Sequence, residues 1–356
     1  MRIAVTGATG NVGTAVLRRL RTESDLALSG IARRPPVPGA GEPYDQVRWH
    51  AADLGDPLAV DRVAEWLDGV DAVVHLAWQI QPSHDRARLR RTNVDGTRHL
   101  LTAMRRAGVD KLVYASSVGT YAPGPKDHPV DESHPTTGVP TSSYSVDKAT
   151  VEAMLDEAER DRPELRVTRL RQALIFQHDA GAEITRLFLG PLAPVSLLRF
   201  GRLPVVPAHR RLRAQAVHAD DVADAYLRAL RSDATGAFNI ATAPVLDGHL
   251  IARHLRGRTV PVPLPVLRAL AAASWRARLQ PTDPGWVDLA AAVPLMDCTR
   301  AATELGWKPR YDALAAVDDL LAGMVKGAGT RSPAMRAGRP SLRGVRDGLP
   351  GHRNPA

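Results

Sequence analysis

Tyr144 and Lys148 stand four residues apart in Thr141-Ser142-Ser143-Tyr144-Ser145-Val146-Asp147-Lys148, a stretch that reads as the opening of a helix running to about residue 159. That spacing places a phenol and an ammonium side by side on one helical face. A tyrosine hydroxyl titrates near ~10, so work as an acid or base near neutrality needs a drop of about three, worth about 4 kcal/mol. One ammonium at ~5 Å in an effective dielectric of ~20 supplies about 3 kcal/mol of it. Lysine is scarce in this chain: Lys111, Lys126, Lys148, Lys308 and Lys326 are the only ones among 47 basic residues, and one kept here hints at a specific task. Ser117 closes an apolar run at residues 111–115 followed by Ser116, and its hydroxyl could donate to a substrate oxygen while Tyr144 moves the proton. Each residue alone is an ordinary helix or strand-end residue; the set of three is not.

The elements that must position this set begin at residue 2. Ile3-Ala4-Val5 is a short buried strand, after which the chain turns through Gly7, Gly10 and Gly13 into an amphipathic segment at residues 14–21. Strand, glycine turn and helix in that order suit a dinucleotide, because glycine admits positive φ and a close backbone approach, and the amides of a helix N-terminus favour pyrophosphate. Gly7, Gly10, Asn11, Val12 and Gly13 are therefore the expected phosphate contacts. A tight turn with no ligand is the bland alternative, but the strand before and the helix after are the context the fingerprint requires. The positive ring of an oxidised nicotinamide would complete the lowering of the phenol, and the same ring would carry the hydride.

Residues 26–32 form a second strand ending in Arg33-Arg34. An acidic residue about 20 positions past the glycines accepts the ribose hydroxyls of NAD, whereas arginine there accommodates the extra phosphate of NADP. Arg33 occupies that place, so the cofactor is NADP or NAD with NADP favoured; a solvated basic turn is the other reading. Residues 47–51 make a third strand followed by Asp53-Leu54, where a carboxylate can meet the adenine amino group. Residues 71–77 make a fourth, running into Leu76-Ala77, a small turn that a nicotinamide ribose can approach. His75 lies within that apolar strand and reads as packed rather than catalytic. A long helix at residues 86–107 carries Asn93 and Gly96 in its interior, both poor helix formers, which calls for either a backbone distortion holding a water or packing against the sheet. Strands alternating with helices, without repeats, give an α/β, doubly wound parallel (Rossmann) sheet of about seven strands.

The 356 residues have length to spare for a core, and 44% are hydrophobic. No apolar run is long enough to span a bilayer and the N-terminus enters a strand at once, so a cytoplasmic protein without membrane contact is expected. A single cysteine, Cys298, excludes an internal disulfide. Of the formal charge of +9, +6 lies from Lys326 onward, where seven basic residues stand against Asp347. That stretch is rich in Gly and Pro and lacks apolar periodicity, so residues 326–356 read as a disordered, dispensable basic tail rather than a specific nucleic-acid site.

Gly7-x-x-Gly10-x-x-Gly13, Asp53-Leu54, His75-Leu76-Ala77, Asn93, Tyr114-Ala115-Ser116-Ser117 and Tyr144-x-x-x-Lys148 together resemble the extended short-chain dehydrogenase/reductase family, the NAD(P)-dependent epimerase/dehydratase group. Val217-His218-Ala219-Asp220-Asp221, Ala237-Phe238-Asn239-Ile240 and Glu304-Leu305-Gly306-Trp307 extend the likeness over about residues 1–325. The resemblance implies catalytic Ser117, Tyr144 and Lys148, cofactor contacts at Leu76, Ala77 and Asn93, a small-molecule substrate and a homodimer. It further implies a dinucleotide domain at residues 1–172 plus about 212–242, with a smaller interleaved substrate domain at about 173–211 plus 243–325. Three departures narrow the activity. Val118-Gly119 replace the Asp-Glu pair of sugar-nucleotide dehydratases. Gln172-Ala173-Leu174 lack the asparagine of UDP-sugar epimerases, and Ala214, one step from Arg213, stands where those enzymes carry arginine. Residues 191–206 and 260–273, with Trp275 and Trp286 nearby, either line a site for an apolar carbonyl or hydroxyl compound or simply pack a helical subdomain. Arg210-Arg211-Leu212-Arg213 is either a phosphate clamp or a solvated turn. An NAD(P)-dependent oxidoreductase is the main expectation; an epimerase without net redox change and a non-catalytic dinucleotide-binding regulator are the alternatives.

Overall fold

The computed structural model describes residues 1–81, 83–190, 195 and 201–338. Seven parallel strands form the central sheet: β1 Arg2–Thr6, β2 Ala27–Ala32, β3 Arg48–Ala51, β4 Ala72–His75, β5 Lys111–Ser117, β6 Arg166–Gln172 and β7 Gly236–Ile240, in the order β7-β6-β5-β4-β1-β2-β3. The order reverses between β1 and β4, and it is outside the carboxyl ends of such a pair that a doubly wound sheet offers a ligand crevice. Alternation along the strands divides the core into two layers. Ile3, Val5, Val74, Val113 and Phe238 pack on one face against Leu17, Leu20, Val222, Tyr226 and Trp307. Ala4, Val73, Leu112 and Val167 pack on the other against Val63, Leu100, Met104, Val151 and Leu155. Trp307, from the Glu304-Leu305-Gly306-Trp307 segment, is buried beneath helix Ala219–Arg231 and donates its indole N–H to the Asp221 carbonyl at 2.8 Å.

The long helix of residues 86–107 carries the distortion that Asn93 and Gly96 called for: Arg86–Arg90 and Gly96–Ala107 are α-helical, and Arg91–Asp95 between them is a π turn. The Thr97 hydroxyl donates to the Asn93 carbonyl at 2.6 Å inside it.

Strand Arg213–His218, grouped with the dinucleotide half in the sequence-based division, joins a separate three-stranded sheet with Leu174–Phe176 and Thr242–Asp247. Helix Ala313–Lys326 packs on that sheet through Ala313 and Val317. Among the described residues no helix is long and apolar enough to cross a membrane.

The expected disordered tail needs correction. Lys326 ends a helix stopped by Gly327 in the left-handed conformation (φ 63°), and residues 328–338 fold into a tight loop closed by the Thr330 N–H on the Met335 carbonyl (2.7 Å) and the Gly338 N–H on the Gly327 carbonyl (2.9 Å). Met335 and Ser332 are fully buried. Composition misleads here because the loop is held by single anchoring groups rather than by a periodic apolar face. Residues 339–356, and most of the 191–200 stretch of the expected substrate lining, lie outside the described residues.

Candidate active site

β1 delivers Gly7 to the crevice with φ 67°, and a Cβ there would lie 2.5 Å from the Ala77 N. A Cβ on Gly13 would lie 2.4 Å from the Gly7 carbonyl oxygen. These two glycines let the loop close on itself and on the turn after β4. At Gly10 the nearest atom to an added Cβ is 3.6 Å away, and this residue lines the cleft. Helix Asn11–Leu20 starts with Gly10 as N-cap, without a side-chain cap and without an acidic residue in its first turn. Such a terminus suits an anion. Asn11 and Val12 contribute only main chain, because Asn11 donates its amide to the Ile175 carbonyl (3.2 Å) and accepts from Gln177 (2.6 Å), while Val12 packs on the core.

The cleft continues past Ala32, Arg33 and Arg34, then Asp53 and Leu54, and is bounded on the β4 side by Leu76, Ala77, Trp78 and Gln79. Asp53 holds its own turn by accepting from the Gly55 N–H at 3.0 Å. Arg33 sits among Arg34, Arg88 and Arg91; burial first, then these like charges, lower its pKa against the attraction of Asp53. With its amide oxygen turned to the guanidinium, Gln79 accepts from both terminal nitrogens of Arg33, one at 2.7 Å. Asn93 does not line this cleft. Its side chain clamps the Gln79 backbone, accepting from the N–H at 2.7 Å and donating to the carbonyl at 2.9 Å, so it shapes the turn after β4 from behind. His75 is packed, bonded to Thr6 (2.6 Å) and Thr97 (3.0 Å), and burial depresses its pKa to about 3.

Ser117, Tyr144 and Lys148 come together at the end of β5. Helix Ser143–Asp161 is fixed there by Ser145, whose hydroxyl accepts from the Val139 N–H (2.6 Å) and donates to the Gly119 carbonyl (2.5 Å). The Ser117 hydroxyl accepts from the Gly119 N–H at 3.0 Å and stands beside the Tyr144 ring at Gly119. A Cβ at Gly119 would lie 2.9 Å from the Tyr144 ring, so a glutamate has no room where dehydratases carry one. Lys148 donates to the Ala115 carbonyl (2.6 Å) and the Tyr114 hydroxyl (3.3 Å), with the Trp78 ring centroid 3.6 Å from its ammonium. Trp286 packs on Tyr144 with centroids 4.9 Å apart, and Phe188 meets Trp286 edge-on at 5.1 Å.

This enclosure changes the expected electrostatics. Burial pushes the Tyr144 phenol up, with only the neighbouring Ser117 hydroxyl opposing, and pushes Lys148 down to about 7 against the pull of Glu152 and Asp147. The sequence-based sum counted the ammonium and left out desolvation, which falls on both groups.

Several residues that shape the site were missed from sequence: Trp78, Gln79, Arg88, Arg91, Glu183 and the 328–338 loop. Trp78 directly follows His75-Leu76-Ala77 and was within reach of that motif; the others arrive from distant segments. Within Arg210 to Arg213, Arg211 donates to the Ala291 carbonyl and Arg213 to the Lys126 carbonyl.

Strand order, glycine turn and the Tyr-Lys helix define a dinucleotide-binding Rossmann domain of the extended short-chain dehydrogenase/reductase type. The chain belongs to the NAD dependent epimerase/dehydratase family, whose model matches residues 3–241. An uncharacterized protein of Mycobacterium tuberculosis is 29% identical over 324 residues, 90% of this chain; the chain spans only 29% of that relative's length. The NAD-dependent glucose-6-phosphate dehydrogenase of Haloferax volcanii is 30% identical over 52% of this chain and 72% of its own. Among solved structures, the UDP-glucose-4-epimerase of Stenotrophomonas maltophila with bound NAD and formylated UDP-arabinopyranose matches at TM-score 0.69 and 23% identity, over 91% of this chain and 98% of that one.

Proposed function

We propose that the chain is an NAD(P)-dependent oxidoreductase that transfers hydride at a carbonyl or hydroxyl carbon of a small apolar molecule. One observation carries this: Tyr144 comes together with Ser117 and Lys148 at the end of β5 and is walled by Trp78 and Trp286. A phenol beside a substrate oxygen can give up its proton as a carbonyl is reduced and take it back as an alcohol is oxidised. The glycine loop and the uncapped helix would hold the dinucleotide, which when bound supplies the hydride. Ser117 orients the substrate oxygen and Tyr144 moves the proton, while Lys148, against the Trp78 ring, shares the helix face of Tyr144. The aromatic walls favour a flat or apolar substrate over a sugar diphosphate. A homodimer is carried over from the family resemblance alone.

The test is oxidation of added NADPH and NADH by the purified protein with a panel of aryl and alkyl ketones and aldehydes. Turnover with such carbonyls supports the reading. Interconversion of sugars with a co-purifying dinucleotide and no demand for added NADPH would replace it with the epimerase, the second reading, which the fold shared with the Stenotrophomonas enzyme favours.

We assign the ribose phosphate of NADP to Arg33 with Arg88 and Arg91. Arg33→Asp is expected to lower the preference for NADP over NAD by about 10- to 100-fold, the value of one or two charged hydrogen bonds. Equal affinity of the parent protein for both cofactors, measured by fluorescence titration, would overturn it.

Glu183 faces the same cleft, and burial pushes its carboxyl up to about 7 against the attraction of Arg186. Above that pH its carboxylate repels pyrophosphate, so dinucleotide affinity is expected to weaken as pH rises between about 6 and 8. Glu183→Gln should flatten the profile; a slope unchanged in the variant assigns the titration elsewhere.

A further inference from the structure

We infer that residues 328–338 are part of the dinucleotide site itself, its outer wall and latch, so that segments more than 300 residues apart build one site. The inference rests on reading the cleft as a dinucleotide site. The loop is anchored on the phosphate-binding element: the Ser332 hydroxyl donates to the carbonyl of Thr9 at 2.6 Å, between Gly7 and Gly10. The Thr14 hydroxyl, in the first turn of the following helix, donates to the Met335 sulfur at 3.0 Å, and the Tyr44 hydroxyl bridges Thr14 (2.9 Å) and Thr330 (2.7 Å). On the opposite bank Arg186 donates to the carbonyls of Arg336 (2.7 Å) and Ala334 (3.2 Å). Between these two sets of anchors, Pro333 and Ala334 lie over the cleft, facing Gly7, Thr9 and Gly10.

A dinucleotide whose pyrophosphate rests on Gly10 and the helix N-terminus therefore lies under this loop, flanked by Ser332 and Arg186. Its arrival and departure require the anchors to release. The loop's own inner bonds, Thr330 to Met335 and Gly338 to Gly327, let it move as one body about Gly327. Because the Ser332 hydroxyl binds the turn that must present its amides to phosphate, and Met335 holds the Thr14 hydroxyl just beyond it, the latch also fixes the shape of that turn.

The test compares the full chain with a chain ending at Gly327 and with the point variants Ser332→Ala and Met335→Ala. The probe is NADPH, and binding and release are followed by stopped-flow fluorescence, with circular dichroism as the check on folding. The truncated chain is expected to release NADPH at least tenfold faster, and each point variant several-fold faster. If the truncated chain fails to fold, the two point variants decide by the same readout. Rate constants within twofold of the full chain in every folded variant overturn the latch while leaving the dinucleotide site intact. Failure of the full chain to bind either NADPH or NADH overturns the dinucleotide reading, and this inference with it.

Discussion

Tyr144→Phe is expected to lower carbonyl turnover by about a thousandfold, the middle of the range for a positioned proton donor, while NADPH affinity stays within twofold. The ring of the variant keeps its packing on Trp78 (6.0 Å) and Trp286 (4.9 Å), and Lys148 keeps the Ala115 carbonyl and Tyr114. What leaves is the hydroxyl beside Ser117. Single-turnover measurements beside a fluorescence titration separate the two quantities. Turnover within tenfold of the parent would remove Tyr144 as the acid and pass the role to Ser117 or to water.

Glu152→Ala is expected to destabilise the fold by about 3–5 kcal/mol, the usual consequence of removing one partner of a buried ion pair. Glu152 and Arg171 are both buried and doubly bonded, at 2.7 and 3.0 Å, and Ser116 donates to the same carboxylate at 2.5 Å. Arg171 also reaches the Tyr121 hydroxyl (3.1 Å) and the Glu132 carbonyl (2.9 Å), so the variant leaves a buried guanidinium with only neutral partners. Burial would raise the Glu152 carboxyl, but Arg171 and Ser116 outweigh it and hold the pKa below its ordinary value. A depressed carboxyl contributes stability above its unfolded value and loses it as pH falls through the folded one. The gap between parent and variant in urea midpoint should therefore be wide at neutral pH and narrow in acid. A gap below 1 kcal/mol at neutral pH, about the scale of an exposed pair, would show that the network is solvated.

The central sheet was legible because Ile3-Ala4-Val5, residues 71–77 and residues 111–115 are short apolar runs closed by turn residues. Asn93 and Gly96 marked the helix distortion, since each is costly inside a regular helix. Tyr144, Lys148 and Ser117 were legible as a set because helical spacing and a strand end bring them to one edge. The Glu152 and Arg171 pairing was not, as nothing along the chain says that this helix crosses that strand at that height. The 328–338 loop was missed for a similar reason: Ser332 and Met335 find Thr9 and Thr14 more than 300 residues away, through single atoms that leave no pattern. Desolvation of the phenol depended on Trp286 arriving from another segment.

The π turn at Arg91–Asp95 has a geometric corollary. One surplus residue in a helix is a phase offset of about 100° between the segments it joins. The upstream segment directs Arg90 to Asp147 (3.6 Å) and Arg86 to Asp283 (3.8 Å), whereas the downstream one is locked to the sheet by Leu100 and Met104. Excising a single residue from the bulge would leave the anchored half in place and rotate both arginines off their carboxylates, detuning the rim beside Tyr144.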